Sequence, residues 1–148
     1  MAIVFNRPSV NINLDSANKI FEVNITNDEK YNERGFLEFI EYFKSTWKYV
    51  SDQNDIYFMT INITARGEND LPLTAFIKLI QTITDLHELF SKHLHSCCIY
   101  SSGAKKWQDA YEFITKLYKP KDQRPIRFTE NIDEGKLFLI SNQIIAKK

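Results

Sequence analysis

The sequence contains little glycine, proline or cysteine, and it has no excess charge of either sign. Four glycines and four prolines among 148 residues exclude collagen-like and low-complexity chains. Nineteen basic and nineteen acidic residues give a formal net charge of zero, which argues against a dedicated nucleic-acid binder. No apolar run approaches the roughly 20 residues that a membrane span requires. These shortages indicate an ordinary globular chain.

The cysteine pattern and the start of the chain predict a reducing environment. Cys97 and Cys98 are the only cysteines, and they are adjacent. Neighbouring side chains of a strand point to opposite faces, so a disulfide between these two is not expected. Residues 1–11 show no basic segment followed by an apolar core, as a secretory signal would. We therefore expect reduced thiols and a cytoplasmic protein.

The first third of the chain predicts an antiparallel hairpin followed by a helix. Over residues 9–26, apolar and polar residues alternate on both sides of a turn-forming cluster at 15–18, which is typical of two half-buried strands. Over residues 31–50, large apolar residues recur at helical spacing with charged residues on the other face.

The rest of the chain alternates between strand and helix patterns. We expect strands at 56–64 and 96–101 and around Ile126 and Phe128. One unbroken helix is expected over 73–94, capped by Asp70 with Pro72 in its first turn, and another helix ends at Pro120. The prediction is a single α/β domain with a mixed, mostly parallel sheet, an N-terminal antiparallel hairpin and helices packed on it.

The last element has two interpretations. Asn131 and Glu134 have the spacing of a capping box, which favours a helix over 132–145. Gly135 would weaken such a helix, and residues 136–141 also fit a strand. We favour the helix.

Two stretches resemble the fold of STAS domains and of CRAL-TRIO lipid-binding domains. Residues 56–94 combine a central strand, a polar loop and a long helix, and residues 95–126 (HSCCIYSSGAKKWQDAYEFITKLYKPKDQRPI) continue with a strand, a small-residue turn, a helix and a return strand. The second stretch is similar to CRAL-TRIO domains, whereas the hairpin at 9–26 is closer to STAS domains. The resemblance implies one domain over residues 1–148.

The resemblance also implies two kinds of function. STAS antagonists typically place a phosphorylatable serine at the start of the helix after the central strand, and here that region offers Thr74. CRAL-TRIO domains enclose a lipid, usually in a longer chain. The STAS likeness therefore implies a regulatory protein-binding module, and the CRAL-TRIO likeness implies a carrier of a lipid or another small apolar ligand.

The residues themselves indicate one candidate binding site. Ligands of open parallel sheets bind where the carboxyl ends of the strands meet the next helices. Ser101, Ser102 and Gly103 occupy such a turn, and Lys105 and Lys106 follow in the first turn of a helix. Backbone amides and two ammonium groups suit a phosphate or a carboxylate. The alternative is a serine cap, a turn glycine and two solvated lysines.

Three other features of the sequence bear on function. A basic excess near the C-terminus is more typical of a solvated surface than of a patch for an anionic partner or membrane surface; it consists of Lys105, Lys106, Lys116, Lys119, Lys121, Arg124 and Arg127. His93, His95, Cys97 and Cys98 carry metal-capable groups, but their spacing matches no common zinc pattern. No nucleophile is paired with a base, so no enzyme and no cofactor are predicted.

The functional hypothesis is a non-enzymatic regulatory or interaction module that binds another protein or an anionic or lipid ligand through Ser101, Ser102, Gly103, Lys105, Lys106 and Thr74. A carrier of an apolar ligand is the alternative. Homodimerisation through a sheet edge or a helix is a further option.

Overall fold

The six strands of the sheet lie side by side in the order in which they occur in the chain. The computed structural model describes residues 2–26, 32–64, 72–101 and 126–130, with the isolated positions Lys105, 107–109, Glu112, Glu134 and Leu137. The strands are β1 (Ala2–Arg7), β2 (Val10–Asp15), β3 (Ile20–Ile25), β4 (Tyr57–Ile63), β5 (Leu94–Ser101) and β6 (Ile126–Thr129).

Two kinds of pairing build this sheet. The pairs β1–β2 and β2–β3 are antiparallel, whereas β3–β4, β4–β5 and β5–β6 are parallel. The prediction of a mixed α/β domain with more parallel than antiparallel pairs is confirmed. The hairpin predicted over 9–26 is β2 and β3, and its turn lies at residues 16–19.

The first helix, α1, spans Glu33–Asp52, two residues further along the chain than predicted at each end. The Asn32 side chain caps it, because Oδ1 accepts a hydrogen bond of 2.8 Å from the backbone N–H of Gly35. Its buried stripe recurs at helical spacing and faces the sheet; it comprises Phe36, Phe39, Ile40, Phe43, Thr46, Trp47 and Val50.

The single helix predicted over 73–94 is wrong. The structure has α2 at Leu73–Asp85 and α3 at His87–His93, and Leu94 is already the first residue of β5. At the break, the backbone N–H of Leu86 is shared between the carbonyls of Thr82 and Ile83, at 3.1 and 3.2 Å. Both helices bury residues against the same core, so the apolar stripe continues across the break and hides it from the sequence pattern.

Strand β1 is absent from the sequence-based prediction. It pairs with β2, but its register shifts between Ile3 and Phe5, which marks a bulge. A bulge interrupts the regular alternation on which strand prediction rests, and this explains the omission.

The start of α2 also differs from the prediction. Pro72 precedes α2 at the cap position instead of lying in its first turn, and Asp70 lies outside the described residues.

Helices α1, α2 and α3 pack on one face of the sheet, where aromatic side chains fill the core. Phe21 of β3 stacks on Trp47 of α1, with ring centroids 4.6 Å apart and 11° between planes. Trp47 in turn meets Phe90 of α3 edge to face at 4.9 Å. Phe76 of α2 stacks on Trp107 at 4.5 Å, so the helical segment after β5 covers the same face.

The C-terminal third is described only in part. Strand β6 confirms the strand predicted around Ile126 and Phe128. Lys105, residues 107–109 and Glu112 are helical, as predicted, whereas Pro120 lies outside the described residues. Glu134 and Leu137 are helical too, in agreement with the helix favoured there; the other residues of 132–145 lie outside the described part of the chain.

Candidate functional site

The candidate site lies where β5 and β6 end. These strands are parallel neighbours, so Ser101 and Thr129, the last residues of each, lie at the same edge of the sheet. Residues 65–70, which follow β4 in the chain, lie outside the described residues. The site is therefore built from β5, β6 and the two helical segments that follow them.

Ser101 lies in the interior. Only 3% of its surface is exposed, and its hydroxyl oxygen accepts a hydrogen bond of 3.0 Å from Nε1 of Trp107. The indole of Trp107 is itself buried against Phe76. In this conformation the Ser101 side chain supports the start of the following helix instead of facing solvent.

Lys105 is the one predicted lysine that the structure describes. Its side chain is 87% exposed, and its Nζ lies 3.9 Å from Oδ1 of Asp109, one helical turn further along. An exposed pair at this separation contributes little to stability, so the ammonium group is free to change partners. Ser102, Gly103 and Lys106 lie outside the described residues, and Thr74 is exposed in the first turn of α2.

A surface pocket of about 390 Å³ opens beside Lys105. Its lining combines one cation with four carboxylates, an amide, a hydroxyl and one aromatic ring; the residues are Lys105, Gln108, Asp109, Glu112, Phe128, Thr129, Glu130 and Glu134. The described lining therefore carries a net negative charge. Lys105 lies in a helical segment after β5, as its position in the sequence predicts, whereas no sequence pattern pointed to the carboxylates around it.

One hydrogen bond fixes the rim of the pocket. The buried hydroxyl of Thr129 donates to Oε2 of Glu134 across 2.9 Å. The predicted capping box assigned the Glu134 side chain to the start of its own helix, together with Asn131, which lies outside the described residues. A bond between side chains on a strand end and the next helix leaves no periodic signal in the sequence.

The metal-capable residues are separated by the fold. His93 is buried, and its Nδ1 donates to the backbone carbonyl of Asp55 at 2.8 Å, while the ring of His95 packs on Phe58. Burial raises the pKa of the Cys97 thiol, which keeps that sulfur in its protonated, weakly ligating form. Within the described residues, no three His, Cys, Asp or Glu side chains are grouped to hold a metal ion.

Of the seven basic residues that form the basic excess near the C-terminus, the structure describes only the side chain of Lys105.

Of the helices in the described ranges, none has both the length and the apolar character needed to cross a lipid bilayer. No protein-family model, curated protein or solved structure matches the chain.

Proposed function

We propose that this chain is a non-enzymatic, cytoplasmic protein-interaction module with a STAS-like arrangement of strands and helices. The observation that carries the proposal is the charged pocket at the carboxyl ends of β5 and β6. In open α/β sheets this edge is where ligands and partners bind. Exposed charged groups there suit recognition of a partner surface, because rim charges steer association and select against partners of the wrong sign.

The charge of the pocket favours a partner segment that carries lysine or arginine. Lys105 is opposed by Asp109, and Glu112 and Glu130 are exposed carboxylates of the same lining, which carries more acidic than basic groups among the described residues. A basic segment would meet complementary charge at this edge. An anionic ligand held by Ser102, Gly103 and Lys106 is the competing proposal, and it predicts the opposite response to charge reversal.

The test uses charge reversal on the pocket and a matched reversal elsewhere. Tagged wild-type protein is used to isolate a stoichiometric partner from the cells that produce it, and the affinity is then measured with both proteins purified. The double variant Glu112→Lys/Glu130→Lys should weaken binding at least tenfold, equivalent to about 1.4 kcal/mol. Glu41→Lys on the exposed face of α1 should leave binding unchanged.

The affinity of the double variant distinguishes a basic partner from an anionic one. Equal affinity of wild type and double variant would remove the pocket from the interface and overturn the proposal. Tighter binding by the double variant would show that the site takes an anionic partner. In that case Lys105→Glu should weaken binding.

A carrier of an apolar ligand is the alternative, proposed from the CRAL-TRIO likeness. The described core supports the interaction module instead, because its rings already contact one another: Phe21 meets both Phe43 and Trp47, at 5.5 and 4.6 Å. Solvent extraction of purified protein followed by mass spectrometry separates the two. A stoichiometric lipid in the extract would favour the carrier.

A further inference from the structure

Strand β1 is an end strand of the sheet, and the edge that faces away from β2 is open to solvent. In the described part of the chain β1 pairs with β2 alone. Asn6, Arg7 and Pro8, at its carboxyl end, are all exposed. Because an edge presents a row of backbone N–H and C=O groups, the occupant that pairs with it is another extended strand.

The bonding pattern of β2 shows which backbone groups of β1 point outward. The N–H of Thr26 on the β3 side bonds to the carbonyl of Ser9 at 2.8 Å. Since the bonding side alternates along an antiparallel ladder, the next residue, Val10, bonds toward β1, where it is opposite Arg7. Asn6 therefore turns its N–H and C=O away from β2, toward the open edge.

The side chain of Arg7 folds back over this edge. One guanidinium nitrogen donates to the carbonyl of Asn6 at 2.9 Å, and the other forms an ion pair with Glu38 of α1. The guanidinium carbon lies 4.8 Å from the centre of the Phe5 ring. The side chains of Arg7 and Glu38 are 47% and 42% exposed, so solvent reaches both and the contact is readily exchanged.

We propose that two copies of this chain pair antiparallel through β1 about a two-fold axis at Asn6. The N–H of Asn6 in each copy donates to the Asn6 carbonyl of the other. In this register Arg7 of one copy lies opposite Phe5 of the other, and such a non-hydrogen-bonded pair has Cα atoms about 4.5 Å apart. The guanidinium then moves from its own Phe5 and Glu38 to those of the second copy.

The edge is complementary to itself in both charge and shape. Arg7 and Glu38 carry opposite charges, and a two-fold axis brings each within reach of the other's counterpart. The Asn6 carbonyl exchanges a guanidinium donor for a backbone donor and stays paired. Tyr42 is 45% exposed although its ring lies 4.7 Å from that of Phe5, and a second copy at this edge would cover it.

Local backbone features limit the pairing to one short register. Pro8 has no N–H, and the register of β1 shifts between Ile3 and Phe5, so regular pairing ends on both sides of Asn6. A contact this short falls below a standard interface, and we expect a dissociation constant between about 10 μM and 1 mM. The two copies use up both β1 edges, so assembly stops at the dimer.

The first experiment measures association of purified protein by sedimentation velocity from about 20 μM to about 1 mM. Because the Asn6 N–H points outward, Asn6→Pro blocks the central bonds of the dimer without breaking the β1–β2 ladder. We expect Asn6→Pro to weaken association at least tenfold. Asn6→Ala keeps the backbone N–H and is the matched control, with association within threefold of wild type.

The second experiment tests whether Arg7 changes its partner between copies. Arg7→Glu alone and Glu38→Arg alone each place like charges across the axis twice, which should weaken association at least tenfold. An equimolar mixture of the two variants forms a heterodimer in which both cross-axis pairs are opposite in charge. The mixture should therefore associate at least fivefold more tightly than either variant alone. Lys92→Glu, on the exposed face of α3, should associate as wild type does.

Any of three results overturns the proposal: wild-type protein that stays monomeric at about 1 mM, equal association of Asn6→Pro and Asn6→Ala, or a mixture no tighter than its separate variants. Circular dichroism verifies that each variant is folded. If Asn6→Pro does not fold, the mixing experiment decides alone, since its substitutions lie at exposed side chains. None of these residues lines the pocket at β5 and β6, so the outcome is independent of the function proposed for it.

Discussion

Trp107 donates a hydrogen bond from Nε1 to the hydroxyl oxygen of Ser101 across 3.0 Å, and both side chains are buried. Trp47 is equally buried, yet its Nε1 has no hydrogen-bond partner among the described residues. The two indoles thus differ in whether the desolvated donor is paired. An unpaired buried donor costs about 1–3 kcal/mol, whereas a paired one contributes about 0.5–1.5 kcal/mol.

This difference predicts unequal effects of the same substitution. Trp107→Phe and Trp47→Phe remove the same atoms from two fully packed sites, so the cost of lost volume is similar. Trp107→Phe also breaks a hydrogen bond, whereas Trp47→Phe removes an unpaired donor. We expect Trp107→Phe to lower the free energy of unfolding by about 1–2 kcal/mol more than Trp47→Phe does.

Urea unfolding followed by far-ultraviolet circular dichroism measures both variants without relying on tryptophan emission. The slope of the unfolding free energy against urea should match wild type in each case, because the surface exposed on unfolding barely changes. Equal destabilisation by the two substitutions would contradict the assignment of the Ser101 contact as stabilising.

Cys97 predicts a loss of stability at alkaline pH. Burial raises the pKa of its thiol in the folded protein, so the folded state keeps a proton that the unfolded state releases above its normal pKa of about 8.5. The stability that comes from keeping this thiol protonated is fully present below the unfolded-state pKa and is lost as the pH rises above it. We expect the free energy of unfolding to fall by up to about 1.4 kcal/mol per pH unit between pH 9 and 10.5 from this group.

The comparison protein for this effect is Cys97→Ala. It should be less stable than wild type at pH 7.5 because of the cavity, but its stability should fall less steeply above pH 9. Identical pH slopes for the two proteins would show that Cys97 does not titrate on unfolding. Slow reaction of the native protein with a thiol reagent at pH 8 is the accompanying expectation.

Lys19 is held in a left-handed backbone conformation, with φ of 58°. Its side chain forms an ion pair with Asp55 at 3.3 Å, and its ammonium lies 5.5 Å from the centre of the Tyr57 ring. Lys19→Ala removes these contacts and keeps the strain, whereas Lys19→Gly removes both. We expect the glycine variant to be more stable than the alanine variant by about 1 kcal/mol in thermal or urea unfolding.

The informative result is which of the two variants is more stable, since both lose the same ion pair with Asp55. A more stable alanine variant would mean that the turn relaxes to an ordinary conformation when the lysine is shortened. Substitution of a residue at negative φ, such as Lys48→Gly against Lys48→Ala within α1, should give the reverse order.

Asp15 reports on the turn between β2 and β3. Hydrogen bonds from the side chain and the backbone N–H of Asn18, at 2.8 and 3.0 Å, lower the pKa of this carboxyl group. Asn18→Ala removes only the side-chain bond, so the pKa should rise part of the way to its ordinary value. Carbon-detected NMR of the Asp15 carboxyl measures the change.

The lowered pKa of Asp15 determines how its contribution to the stability of the fold depends on pH. Because the folded-state pKa is lowered, the contribution of Asp15 is present above the unfolded pKa and is lost as the pH falls. Stability of wild type and Asn18→Ala should therefore converge in acid. A pKa of Asp15 that does not respond to Asn18→Ala would place the cause elsewhere in the turn.

Much of the fold was predictable because the chain obeys simple periodicities. The alternation at 9–26 and the stripe on 31–50 each correspond to elements found within two residues of their predicted ends. The errors have a common cause: the pattern reports which side chains are buried, not whether the backbone between them is continuous. Apart from the exposed Leu73, the apolar stripe over residues 73–94 packs against one core, although it passes through two helices into a strand.

The candidate site was predictable in position and only partly in composition. The turn after β5 identified Lys105, because small residues after a strand mark the carboxyl edge of a parallel sheet. The carboxylates of Glu130 and Glu134 come from a segment about 25 residues further along, and only the pairing of β5 with β6 brings them to the pocket.

Because the strands are arranged in the sequence in which they are made, a chain leaving the ribosome can extend its sheet outward from a β1–β3 platform without ever inserting a strand between two already joined. Each addition closes a connection to the segment synthesised just before it, which keeps the entropic cost of every closure modest. Synthesis and assembly can therefore proceed in step, with β6 as the final edge.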